Sequence, residues 1–259
     1  MSQPITVLFY PESPAPDSVV AQLCDRLGYK VSNNPTQRFD VAFKYFDATF
    51  FSAAMLDELE PIHDFVINGK SLDISKQAIA QVFRIIFGYD LAVDPTKYEG
   101  KIVRKSNINA LRDGEILEAP FMAIATEYVY QKFIDSEIAG TDTFIEFIVP
   151  ICEQKIPFVY QQQRNIAQRF EPENIQVEFK EPNEIFSDSE LEKILNFAKN
   201  IGLDYGELDI LRNKVDEKIY VIDVENTLRS FPDKLNNIQK DAAIELLSRT
   251  FLSLVVHRL

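Results

Sequence analysis

Ile201–Thr227 reads IGLDYGELDILRNKVDEKIYVIDVENT, and the fold turns on how this stretch is read. Two apolar runs, Glu207–Leu211 and Lys218–Val224, flank the charged Arg212–Glu217, the pattern of two antiparallel strands and their turn. Side chains alternate between the faces of a strand, so Asp223 and Glu225 share a face, and Asp209 comes opposite them if the register allows. Three carboxylates on a half-buried face repel one another by several kcal/mol unless a proton or a cation joins them. Oxygen-only donors suit a hard divalent ion, magnesium above all. The same acids also fit the solvated face of an ordinary hairpin.

Upstream, Ser187 and Glu190 form a capping box that opens a helix through Asn200, and the Glu- and Pro-rich span Glu171–Glu184 reads as a connector. Gln161–Arg169 reads as a polar loop able to fold over a cleft with Arg164 and Arg169. Thr143–Ile151 (TFIEFIVPI) reads as a strand without a cation. Glu127–Asp135 is an apolar strand interrupted at Gln131-Lys132, and Gly100–Ser106 is a compact strand ending in Arg104 and Lys105. Ser71–Phe87 has apolar residues at helical spacing, with Lys76 in its first turn and Gly88 as its stop. Before it, Ile5–Tyr10, a helix over Asp17–Leu27 with Asp17 as N-cap, Phe39–Tyr45 and Phe65–Ile67 suggest a small α/β lobe. The last helix, Ile238–Leu259, is apolar enough to require cover from its own chain or from a second subunit, a homodimer in the latter case.

Composition narrows the function. The 259 residues hold 46% hydrophobic side chains, ample for a core, and 27 basic against 40 acidic residues give a net charge of −13. Such a field argues against nucleic acid and anionic membrane as partners. Cys24 and Cys152 lack metal or disulfide spacing, and His63 and His257 lack partners for a nucleophile relay. No apolar run spans a membrane and no basic leader precedes the first strand, which together suggest a cytoplasmic protein. With only eight glycines, GxGxxG and P-loop patterns are absent, so a nucleotide would need lysines and a metal to hold it.

The hairpin with Asp209 and Asp223 resembles the metal-binding end of the ATP-grasp superfamily, where acid, acid and Asn hold magnesium on the ATP phosphates. Here Glu225 stands in the place of Asn and Leu228 in that of a proline. The order of the upstream elements strengthens the resemblance. It implies that Lys76 reaches the phosphates and that Lys105 bridges adenine and α-phosphate. It further implies that Gln131, Lys132 and Phe133 form the adenine hinge, and that Asp135 or Glu137 takes the ribose. The loop Asn107–Gly114 stands where the family covers the phosphates, without its glycine cluster. The implied fold is α/β (α+β): a small N-terminal α/β lobe (1–70), a central subdomain (71–140) and a C-terminal subdomain (141–259), with a nucleotide cleft between the last two. The implied activity is an ATP- and Mg2+-dependent ligase that converts a carboxylate, from a small molecule or a peptide, into an acyl phosphate for attack by an amine or thiol. The altered triad leaves a second reading, a catalytically inactive nucleotide-binding scaffold with a regulatory role.

Overall fold

The computed structural model describes residues 3–52, 54–55, 65–122, 124–228 and 230–259; His63 lies outside them. Strand β1 (Thr6–Pro11) is the centre of a parallel sheet, flanked by β2 (Lys30–Ser32) and β3 (Val41–Tyr45). Helix α1 (Val19–Arg26) makes the crossover. Its N-cap is Ser18, not Asp17, because the Ser18 hydroxyl accepts from the Ala21 N–H. Ile67 extends the sheet by a parallel bridge to Phe43, and the chain then turns at Asn68 with φ of 58°.

Lys44, on β3, is fully buried, with Nζ 2.5 Å from the Ser71 carbonyl and 5.0 Å from the centre of the Phe51 ring. Burial lowers its pKa to about 8. Between pH 8 and the ordinary lysine range the unfolded chain binds the extra proton, so stability rises with pH through that window. The stability difference between Lys44→Met and the parent is therefore expected to shift by about 3 kcal/mol in the parent's favour from pH 7 to 10.5. A constant contribution from the lost Ser71 bond leaves that shift unaltered. Urea unfolding at the two pH values measures it, and a difference independent of pH contradicts it.

Residues 71–75 run extended, with the Ile74 N–H on the Thr49 carbonyl and the Phe51 N–H on the Leu72 carbonyl. Helix α2 (Lys76–Phe87) thus begins at Lys76 rather than Ser71, capped by the Ser75 hydroxyl, which accepts from the Ala78 N–H. A second sheet has β4 (Gly100–Ser106) between β5 (Glu115–Ala119) and β6 (Tyr128–Lys132), all antiparallel.

The third sheet is antiparallel throughout, in the order β11-β10-β7-β8-β9: β7 is Thr143–Cys152, β8 Val159–Asn165, β9 Gln176–Lys180, β10 Tyr205–Arg212 and β11 Ile219–Glu225. Two expectations are corrected here. The polar loop at Gln161 is the second half of β8, since Tyr160, Gln162 and Arg164 alternate onto one face in register with β7. The connector after Glu171 contains β9, whose Val177 and Phe179 pack inward. Short helix α3 (Pro182–Ile185) and α4 (Asp188–Asn200) follow, α4 with the expected Ser187–Glu190 capping box.

One face of this sheet, with Phe147, Val149, Ile151, Leu208 and Ile210, packs on Ile79 and Phe83 of α2 and on Ile194 and Phe197 of α4. The other face is apolar only at one end. There Tyr205 meets Phe43 of the first sheet and Phe251 of α5 (Asn237–Val256), each with ring centres 5.5 Å apart. The terminal helix is thus covered along Ala243, Leu247, Phe251 and Leu254 by its own chain. At its other end the same face turns polar, with Glu146, Gln162, Arg164, Glu207, Asp209 and Asp223, and there a cleft opens toward the second sheet. The architecture is the mixed α/β one expected. Among the described residues no helix is long and apolar enough to cross a membrane.

Candidate active site

In the β10–β11 register Asp209 stands directly opposite Asp223, and Glu207 opposite Glu225. A bulge between Asp209 and Ile210 keeps both aspartates on the cleft face while Ile210 and Val221 stay in the core. Lys76 enters from the first turn of α2. It is 4% exposed, and its Nζ lies 2.5 Å from Asp223 Oδ1 and 2.6 Å from Asn109 Oδ1. Asn109 in turn donates to the Val224 carbonyl at 3.1 Å, which ties the loop after β4 to the hairpin.

These groups face a cavity of about 260 Å³, near the lower bound of small-molecule sites. Lys76, Lys105, Gln131, Lys132, Asp209 and Asp223 all line it, together with Arg112, Arg164, Arg169 and the apolar Val103, Ile134 and Leu211. Gly114 and Phe170 meet over its rim: a Cβ on Gly114 would lie 2.3 Å from the Phe170 ring, so a glycine permits this closure.

Other expected residues lie elsewhere. Phe133, one residue past the end of β6, is absent from the lining and packs behind Arg169, whose guanidinium lies 4.6 Å from its ring centre. The Lys132 and Phe133 N–H groups are already bonded to the carbonyls of Leu91 and Lys101, so side chains rather than these donors face the cavity. Asp135 and Glu137 are drawn away by Lys214, at 2.9 and 3.3 Å. Glu225 shares the face of Asp223, but its carboxylate accepts from the Thr227 N–H and hydroxyl, and it does not line the cavity.

One contributor, Glu146, was missed from sequence, and Arg164 and Arg169, expected from a loop over the cleft, do line the cavity. Glu146 projects from β7 and pairs with Arg164 of β8, while Arg169 is held between the rings of Phe133 and Phe144 and donates to the Ile134 carbonyl at 2.6 Å. A signal did exist for Glu146, the single charge in the otherwise apolar TFIEFIVPI. Arg164 reaches Glu146 from strand β8 and not from the loop expected.

Burial, with Glu146 and Asp223 beside it, pushes the Asp209 carboxyl well above the ordinary carboxylate range. Burial and Glu225 push Glu207 to about 8. Burial and the charge of Lys76 lower Lys105 to about 8. Among the described residues no three acids, imidazoles or thiols meet at one point, so the expected triad is not assembled. The donor set of two opposed aspartates nevertheless fits magnesium, which characteristically takes one or two carboxylates and completes its shell with water and substrate phosphate. Asp209 and Asp223 would hold it.

The cavity is also short of acceptors. Gln131 Nε2, Arg164 Nε and Arg169 Nη1 are buried with no hydrogen-bond partner in the protein, and all three residues line it. Unpaired buried donors are costly, so such a set fits a ligand rich in acceptor oxygens and nitrogens.

No protein-family model matches the chain, and no curated protein matches it by sequence. Solved structures do. The ATP-grasp ligase PsnB, in complex with a phosphomimetic variant of its minimal precursor, Mg and ADP, superimposes over 98% of this chain and 99% of its own, with TM-score 0.59 and 14% identity. The D-alanine–D-alanine ligase of Bacillus anthracis does so over 99% and 97%, with TM-score 0.58 and 12% identity. The chain has the ATP-grasp fold. A second structure of the Bacillus anthracis enzyme, complexed with ATP, agrees at TM-score 0.56 and 15% identity. At such identities the likeness is one of ATP-grasp architecture, and the roles of individual side chains rest on the geometry above.

Proposed function

We propose that this chain is an ATP- and magnesium-dependent ligase that phosphorylates a carboxylate and passes the acyl group to a nucleophile. The observation that carries this reading is the set of unpartnered donors, Gln131, Arg164 and Arg169, gathered with Lys76, Lys105 and Lys132 beside two opposed aspartates in a protein of net charge −13. Val103, Ile134 and Leu211 offer apolar walls to a base, and Gln131 a donor to its ring nitrogens. Lys105 and Lys132 face the phosphates as compact charges. Arg164 and Arg169, which also line the cavity, would neutralise charge on the transferring phosphoryl group, the role for which no cation was found in β7. Magnesium, when bound, would draw charge from the phosphate oxygens. PsnB, crystallised with its minimal precursor, and the D-alanine–D-alanine ligase support a peptide or a small carboxylate as substrate.

The test is ADP release with ATP, magnesium and a panel of carboxylates and amines, run beside a thermal-shift titration. A nucleotide at a hundred times its Kd should add about 2.7 kcal/mol of stability. The engagement of Glu225 by Thr227, which keeps it out of the cavity, favours a second reading, a nucleotide-binding scaffold without turnover. It predicts the thermal shift with no ADP from any substrate. Absence of both overturns the nucleotide site itself.

Nucleotide affinity should also depend on pH. The Lys105 ammonium, at about 8, is charged below that value and loses its proton above it. Affinity for ATP is therefore expected to be flat below pH 8 and to fall by up to about tenfold per unit above it, as the proton must be taken up on binding. Lys105→Arg, which stays charged, should flatten the profile. Calorimetric titrations from pH 7 to 9.5 decide this, and an unchanged profile in the variant contradicts it.

A further inference from the structure

A second cavity, of about 270 Å³, adjoins the first and shares Glu146, Arg164, Pro172 and Asp209 with it. It lies on the same sheet face, past the Glu146–Arg164 ion pair, and the segment Ser230–Asp233 forms its outer wall. Apart from the shared Arg164, whose Nε is an unpartnered donor, its unpartnered groups have the opposite character. Asn174, 7% exposed, has its Oδ1 buried without a hydrogen-bond partner, and so does Glu207 Oε1. Both residues line the second cavity and neither lines the first. Where the nucleotide cavity is short of acceptors, the part of this one beyond Arg164, at Asn174 and Glu207, is short of donors. The acids Glu146, Glu207, Asp209 and Asp233 outnumber its one cation, Arg164, which is already engaged by Glu146.

Resting on the ligase reading above, we propose that this cavity seats the attacking nucleophile and selects a primary amine over an alcohol or thiol. An ammonium brings three donors and a positive charge to Asn174, Glu207 and the acidic wall. A hydroxyl brings one donor and a thiol a weak one. The acyl-phosphate carbonyl forms at the shared boundary, beside Asp209 and Arg164. There the amine nitrogen bonds to the carbonyl carbon, and the bond from that carbon to the phosphate oxygen breaks with its electron pair on phosphate. Of the two protons the ammonium loses, one goes to the departing phosphate and one to solvent. The product is an amide.

The probes are N-acetyl-lysine N-methylamide and its counterpart with a hydroxyl in place of the ammonium, each titrated calorimetrically into the full chain loaded with a non-hydrolysable ATP analogue and magnesium. The amine is expected to bind at least about tenfold more tightly than the alcohol, the margin of one or more charge-assisted hydrogen bonds. Asn174→Leu and Glu207→Gln should each erase that margin, and Asn174→Asp, which keeps the acceptor, should retain it. Equal binding of the two probes, no saturable binding of the amine, or a margin that survives both of the first two substitutions overturns the assignment. Nucleotide affinity measured on the same samples separates the claims. Tight nucleotide without an amine margin leaves the ligase reading standing, whereas loss of nucleotide binding in the parent chain removes the reading itself.

Discussion

Asp223→Asn is expected to lower magnesium-dependent ADP release by about two to three orders of magnitude, the usual scale for losing a charged group aimed at a transferring phosphoryl. Asp223 faces Asp209 across the hairpin and accepts from Lys76 at 2.5 Å and from its neighbour's Val224 N–H at 2.9 Å. Asparagine keeps the shape and the amide-accepted bond, so the fold should survive. What disappears is one of the two negative charges available to the metal and the counter-charge that holds the buried Lys76 ammonium in place. Circular dichroism should stay close to the parent, with the melting temperature lowered by the unpaired Lys76 ammonium, while turnover collapses. Unchanged turnover would place the metal elsewhere. If the scaffold reading is right, neither protein releases ADP, and the substitution shows instead as a smaller ATP-induced thermal shift in magnesium.

The second large effect is on stability. Asn68→Ala is expected to destabilise the chain by about 5 kcal/mol, from several buried backbone groups left unpaired at 1–3 kcal/mol apiece with partial relaxation. Asn68 is fully buried. Its Oδ1 accepts from the N–H groups of Asp204 and Tyr205 at 2.8 and 2.9 Å, and its Nδ2 donates to the carbonyls of Tyr205 and Asn226 at 2.7 and 3.2 Å. One side chain thereby joins the turn that leaves the first sheet to the start of β10 and the end of β11. Its φ of 58° also suits asparagine better than alanine. Asn68→Asp keeps the acceptor and loses both donated bonds, and should fall between the two. Equilibrium urea unfolding ranks the three proteins, and an alanine variant within 1 kcal/mol of the parent would refute the clamp.

How far these sites could be read in advance depended on the range of the interactions involved. The hairpin, the helix that carries Lys76 and the strand carrying Lys105 follow from alternation and helical spacing, which act over a few residues, whereas the start of that helix was read five residues early. Asn68 stands in an Asn-Gly pair, the composition of an ordinary turn, and nothing local indicates that its amide reaches residues more than a hundred positions away. The strand β9 was hidden because its residues, QVEFK, lie at a sheet edge, where one exposed face and flanking prolines give the composition of a loop.

The amino-acid order alone determined which faces are apolar, which segments are helical and that acids and lysines alternate onto the polar sides of strands, because each of these is set by neighbours within a turn or a pleat. Only the tertiary structure decided which of those polar groups meet. The bulge at Asp209, the β7–β8 register that gives Arg164 to Glu146, and the Thr227 bonds that turn Glu225 aside depend on strands packing against helices distant in the chain. A pairing register is fixed by the burial of a whole face, and no single segment contains that information.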